Sequence, residues 1–343
     1  MNQQNHPACL TPFWLSLAML LCVCLASALV VSPVNADEPP PVAMTSKDIQ
    51  NMVKELSNWG RWGKEDQLGT INLITPAKRA AAAKLVTEGI TVSLARDADT
   101  VVSLENTRPY KHTMINTGAT SEQWGTDSIE VAPHGLMHTH MDSLCHFFYM
   151  GKMYNGFSKD EVTETGAKRL SIDNLKQGIV SRGVLIDIPR LRGVDFLKPG
   201  EAIYASDLDA WEKKTGIQVQ PGDIVLIRTG RWARRAKHGP WSPKVDGMAG
   251  LHASCAPWFK QRDIAMLGSD AAADVIPSGI EGVTHPIHLM MLHVMGVHIL
   301  DNADFGQLSK TAAKLNRWEF MITIAPLPIK GGTGSPVNPI AVF

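Results

Sequence analysis

The apolar positions change their period along the chain, and those changes divide it into elements. A charge-free apolar run covers residues 12–31, and a polar, Pro-rich stretch follows it. Thr45-Ser46-Lys47-Asp48 then starts a helix, with Ser46 at the N-cap. Asn58-Trp59-Gly60-Arg61-Trp62-Gly63 breaks it. Thr75-Pro76 opens a second helix, with Thr75 at the N-cap and Pro76 in the first turn, and Gly89 ends it. Residues 90–95 alternate as a strand, whereas 98–127 are polar and aperiodic and read as a long loop. Alternation resumes over 128–132 and feeds a histidine-rich segment. Short apolar runs at 183–188, 224–227, 263–268, 297–300 and 320–325 read as strands. Between them the pattern predicts helices from Ser206 or Asp207 through Lys214, from Ser254 to Gln261, and from His285 to about Met295, where Gly296 closes the last one. Strands and helices mix throughout, which predicts one α/β domain.

The apolar run at 12–31 ends in Val34-Asn35-Ala36, a small-residue pattern that reads as a secretory signal cleaved after Ala36. The first eleven residues carry no Lys or Arg, which departs from the usual signal, and the alternative is an uncleaved N-terminal membrane anchor. The predicted organisation is a signal peptide at 1–36, a flexible lead-in at 37–49 and one domain from 50 to 343. The mature chain is then secreted or periplasmic, with no stable membrane association. Of 343 residues 44% are hydrophobic and 19% charged, enough apolar material for a sizeable core. Lys+Arg and Asp+Glu are equal at 33 each, so no basic excess points to nucleic acid. Cys145 and Cys255 lie beyond the signal, too few for a disulfide framework. Cys145 reads as a small buried hydrophobe.

The chemistry concentrates between His134 and His146, thirteen residues that hold four of the chain's twelve histidines. On an extended strand, side chains two apart share a face. His138, His140 and Asp142 then project together, and His134 joins them if the strand stays regular that far back. Imidazoles with a carboxylate suit a divalent cation such as Zn or Mn. His146, four residues past Asp142, reads as a ligand or as an acid/base group. A lone strand histidine is ordinarily a satisfied polar residue. Three ligand-type side chains on one face among Leu136, Met137, Met141, Leu144 and Phe147 are not what burial alone selects. Elsewhere the simpler structural readings hold. Asp270 at a strand end most often caps a turn, and His252 reads as a surface or capping residue. The Gly-rich run at 331–336 lacks the Lys-Ser/Thr and helix of a P-loop. No Gly-x-Ser-x-Gly is present to support a serine hydrolase.

Thr139-His140-Met141-Asp142-Ser143-Leu144-Cys145-His146-Phe147 resembles the T-H-x-D-x-x-x-H-F core of the cyclase family of metal-dependent hydrolases, which includes bacterial kynurenine formamidase and isatin hydrolase. The likeness continues through Gly151-Lys152-Met153-Tyr154-Asn155-Gly156, Asn58-Trp59-Gly60-Arg61-Trp62-Gly63, Leu267-Gly268-Ser269-Asp270 and residues 331–339, and covers roughly residues 50–343. It implies the swivelling β/β/α fold, homodimers or homotetramers, one or two divalent ions, and hydrolysis of the C–N bond of an arylformamide or cyclic amide. It adds His288 and Asp301 to His134, His138, His140 and Asp142 as metal ligands. It also favours a place near the active site for Trp59 and Trp62; the turn that carries Tyr154 reads as lying beside the site, and His146 is expected to serve hydrolysis as the acid/base group. The chain departs from the compact members at two positions. Asp301 stands where they carry glutamate, and Leu136 where they carry a histidine. Either His138, which has the right face, or His134, which needs a bulge, then supplies the missing ligand. Alternatives are an exported metal- or ligand-binding protein with a degenerate site, and a lactonase or dehydratase on the same site.

Overall fold

The computed structural model describes residues 43–343; the expected signal at 1–36 lies outside them. Nine strands form one mixed sheet. They are β1 (Thr91–Ser93), β2 (His140–Asp142), β3 (Ile179–Asp187), β4 (Ile224–Arg228), β5 (Met266–Ser269), β6 (His298–Asp301), β7 (Glu319–Ile324), β8 (Gly334–Pro336) and β9 (Ile340–Val342). Their order is β1-β9-β7-β3-β4-β5-β6-β2-β8. The middle four, β3 to β6, run parallel, and the flanking strands are antiparallel. Parallel strands covered on both faces need apolar side chains at successive positions. Val184-Leu185-Ile186, Ile224 through Ile227 and Ile299-Leu300 are all buried. The helix Ala205–Thr215 lies against β3, where Trp211 Nε1 donates to the carbonyl of Leu185 at 2.9 Å.

Two features of this frame position the chemistry. Strand β2 is only three residues long and lies between β6 and β8, pairing His140 with Asp301 and with Pro336. Directly paired residues share a face, so His140, Asp142 and Asp301 emerge together from two strands distant in sequence. Next to them a single α-helical turn, Pro286–His288, runs into a π-helical stretch, Leu289–Met295. The π-helical residues are all buried, and Gly296 ends the stretch at φ 68°.

Several sequence expectations need correction. Thr45, not Ser46, is the N-cap of the first helix, Ser46–Glu55. Its hydroxyl accepts from Asp48 N and its own N–H donates to the Asp48 carboxylate at 2.7 Å. That helix therefore begins inside the stretch assigned to a flexible lead-in at 37–49. The second helix, Pro76–Ala83, is capped by Thr75 as expected but stops well before Gly89. The N–H groups of Glu88 and Gly89 instead donate to the carbonyl of Phe343. The expected loop at 98–127 contains a strand, Lys111–Asn116, that pairs with Thr126–Glu130 in a two-stranded ribbon. Both strands are exposed almost throughout, so no buried face imposed an apolar period on them. Neither strand runs on into the histidines.

Candidate metal centre

Asp142 is the middle of the site. It is buried, and neither of its carboxylate oxygens has a hydrogen-bond donor. Buried carboxylates are ordinarily paired or hydrogen-bonded. Around it stand His134 Nδ1 at 2.9 Å and His140 Nε2 at 3.4 Å from Oδ1, and His288 Nε2 at 3.7 Å from Oδ2. His288 Nε2 also lies 3.3 Å from Asp301 Oδ2. His134 Nδ1 is near enough for charge to act but is not aligned as a hydrogen bond, and Asp301 Oδ1 likewise has no partner. The donor atoms fall into two sets that share Asp142, namely His134, His140 and Asp142, and Asp142, His288 and Asp301.

Each histidine is turned by a bond on its other nitrogen. His140 Nδ1 lies 2.8 Å from the carbonyl of His138, which leaves Nε2 for Asp142. His134 Nε2 contacts Thr333 Oγ1 at 2.9 Å. His288 Nδ1 contacts Asp274 Oδ2 at 2.5 Å, and Asp274 also accepts from the N–H groups of Ile287 and His288. Such carboxylate–histidine pairs fix ring orientation and raise ligand basicity. Burial disfavours the charged form of His288, yet Asp274 and Asp301 outweigh it and hold its pKa well above the usual histidine range. Burial also raises the carboxyl of Asp142. The surrounding histidines, His146 first among them, reverse that and hold it well below the usual carboxylate range.

His146 lies against this set. Its ring stacks on that of His134, with centroids 3.9 Å apart and 2° between the planes. It follows a tight turn in which its N–H donates to Ser143 O at 3.0 Å. Burial pushes its imidazole down to about 4, so it is neutral at pH 7. Cys145 turns the other way, toward Ser143 Oγ and the carbonyl of Gly332, and burial pushes its thiol up to about 11. That suits a packing residue.

Of the residues singled out from sequence, His134, His140, Asp142, His146, His288 and Asp301 come together. His138 does not. Its Nε2 contacts the carbonyl of Arg108 at 3.1 Å and its ring meets Tyr110 edge-on at 5.1 Å. Alternation places His138 on the ligand face only along a strand from 134 to 142, and the strand covers only His140–Asp142. His134 reaches the site from a turn that Gly135 makes possible at φ 140°. Tyr154 is fully buried, with its hydroxyl on Asp66 at 3.3 Å. Trp62 stacks under the Arg61 guanidinium at 4.7 Å, and Trp59 bonds the carbonyl of His293 through Nε1. None of these three aromatics is hydrogen-bonded to the histidine–aspartate set. Sequence reasoning gives Asp274 no role and places Thr333 only within the Gly-rich run 331–339; the signal for Asp274 is a lone carboxylate in the apolar run Ala271-Ala272-Ala273-Asp274-Val275. Asp270 caps Thr229-Gly230, and His252 caps the turn at Ser254, both in their simpler roles. This geometry sets an expected result: His134→Ala lowers divalent-ion affinity more than about tenfold, an effect already reached by outer partners of metal ligands. His138→Ala leaves it unchanged. Competition titration against a chromophoric chelator measures both, and the opposite order would return the ligand role to His138.

Residues 90–273 match the protein family described as "Putative cyclase". A solved structure described as a novel cyclase is 33% identical with a TM-score of 0.76, over 85% of this chain and 99% of that one. Isatin hydrolase A from Ralstonia solanacearum is 22% identical with a TM-score of 0.54, over 78% of this chain and 97% of that one. An isatin hydrolase bound to the product analogue thioisatinate is 20% identical with a TM-score of 0.55, over 77% and 97%. The last two share the fold. No curated protein matches the chain.

Proposed function

Because the chain belongs to the cyclase family, we propose that it is a metal-dependent hydrolase that opens the C–N bond of an arylformamide or a cyclic amide. One observation carries this reading. The carboxylate of Asp142 is buried without a hydrogen-bond donor, while three imidazole nitrogens and a second carboxylate converge on it. This donor set fits Zn or Mn. His134, His140 and Asp142 would hold one ion, and Asp142, His288 and Asp301 would hold one beside it. A cation there supplies Lewis acidity and makes a bound water acidic enough to attack near neutral pH.

The chain's own residues do the rest. His146 is half-buried and stacked on His134 beside the set, placed to take the proton of the attacking water and return it to the leaving nitrogen. Asp274 keeps Nδ1 of His288 occupied, so its Nε2 stays aimed at Asp142 and Asp301. A largely apolar recess of about 620 Å³ is walled by Leu136, two residues after His134, and by Ile276, Pro277, Ile280, Val283 and His285 ahead of His288, with Lys244 and Glu281 also in its lining. Its size and lining suit an aromatic acyl or anilide group. Leu136, which replaces a family histidine, belongs to this wall. Export to the periplasm and assembly as a homodimer or homotetramer remain part of the proposal. Exposed Ile115, Trp124 and Ile129 on or beside the ribbon support self-association.

The test is hydrolysis of N-formylkynurenine and of isatin by the protein as purified, after chelation, and after adding back Zn or Mn. Turnover that chelation abolishes and the metal restores is the expected result. Metal-loaded protein that hydrolyses neither, nor a related lactone, would favour a binding protein instead.

A further inference from the structure

The segment between His134 and His140 is irregular and largely buried, yet it must present two rings to one carboxylate. Its backbone carbonyls are gripped from behind. Asn302 Nδ2 donates to the carbonyl of Gly135 at 2.8 Å and to that of His138 at 3.2 Å. The His138 carbonyl is the one that also holds His140 Nδ1. Arg231 Nη2 donates to the carbonyl of Leu136, and its Nη1 donates to Asn302 Oδ1 at 2.6 Å. Arg231 is 3% exposed and Asn302 is 0%.

The charge of Arg231 is balanced from the far side. Glu105, also buried, accepts from Arg231 Nη2 at 2.9 Å and from Arg235 Nε at 2.5 Å. The guanidinium lies over the ring of Trp232, 4.3 Å from its centroid. Asn302 follows Asp301 directly and sits at φ 55°, a conformation asparagine tolerates better than most residues. A buried arginine that spans a carboxylate, an amide and a main-chain carbonyl uses its planar fork in a way a lysine cannot reproduce. None of these side chains touches the donor atoms around Asp142.

We propose that Arg231 and Asn302, with Glu105 as counter-charge, are positioning residues that clamp the 135–138 turn and so set the direction of His134 and His140 toward Asp142. The inference rests on the metal reading of the site. Without the clamp, His134 keeps its Thr333 contact and its stack on His146 but loses the fixed turn that follows it, and the His140 ring loses the fixed carbonyl that selects its tautomer.

The test measures ion binding rather than turnover. Co²⁺ is titrated into the purified protein, and into Arg231→Lys and Asn302→Gly, while the visible d–d absorption is followed. Glycine adopts the backbone angle of residue 302 without strain, so that variant removes the amide and its three hydrogen bonds while leaving the backbone unstrained. Both variants are expected to bind Co²⁺ about 10–100-fold more weakly, the range found for partners behind metal ligands. Their d–d band is expected to change as the His134 nitrogen leaves the set. An unchanged thermal midpoint in ion-free protein separates this from general damage. If Arg231→Lys does not fold, Asn302→Gly decides. A folded variant with native affinity and a native spectrum overturns the clamp. Native protein that binds no Co²⁺ overturns the metal reading itself, and the two failures are distinct.

Discussion

Asp142→Asn is expected to abolish both ion binding and turnover while leaving the fold intact. Asp142 is shared by the two donor sets, one oxygen facing His134 and His140 and the other facing His288. Asparagine has the same shape but no charge, and its NH₂ would point at an imidazole nitrogen or at an ion. Outer partners of metal ligands already cost 10–100-fold when removed. Loss of a shared anionic ligand should therefore exceed about 100-fold in affinity. Stability falls as well. The surrounding histidines hold the native carboxyl well below the usual carboxylate range, so losing its charge should lower the thermal midpoint of ion-free protein near neutral pH without unfolding it. Elemental analysis after dialysis, with thermal unfolding on the same samples, measures both. Native metal content in a folded Asp142→Asn variant would mean that the histidines alone hold the ion, or that the ion sits elsewhere.

The candidate site was legible where its signal was local and opaque where the signal was tertiary. His140 and Asp142 could be paired by strand alternation because they do lie on a strand. Alternation favours His138 over His134 only if the strand runs back past His140, and it does not. What decides between them is Gly135 at φ 140° together with the grip of Asn302 and Arg231, whose partners in the turn lie 167 and 95 positions away. His288 and Asp301 came from family likeness; no spacing rule joins them to a segment so far upstream. Asp274 turns His288 but sits in a loop fourteen residues before it, where a carboxylate has many commoner uses. In the fold, the buried parallel strands announced themselves as apolar runs. The exposed ribbon did not, because neither of its faces is buried. The sheet order, with three-residue β2 between β6 and β8, depends on pairings that no single stretch encodes.

His146→Gln is the second large effect, and its signature is opposite to that of Asp142→Asn. The variant should keep its ion and lose turnover by about 10²–10⁴-fold, the usual contribution of a positioned acid/base group. Glutamine can still lie against the His134 ring, but it cannot carry a proton. The loss should depend on the leaving group. An amide nitrogen must be protonated before it departs, whereas an activated aryl ester releases an anion that needs no proton. If His146 shuttles the proton, the variant recovers part of its rate on the ester and almost none on the amide. If His146 merely supports His134, both substrates suffer alike and ion affinity falls with them, because its ring stacks directly on that ligand at 3.9 Å. Wild-type turnover on the amide by a metal-loaded variant would remove His146 from the mechanism. The proton path would then run through solvent.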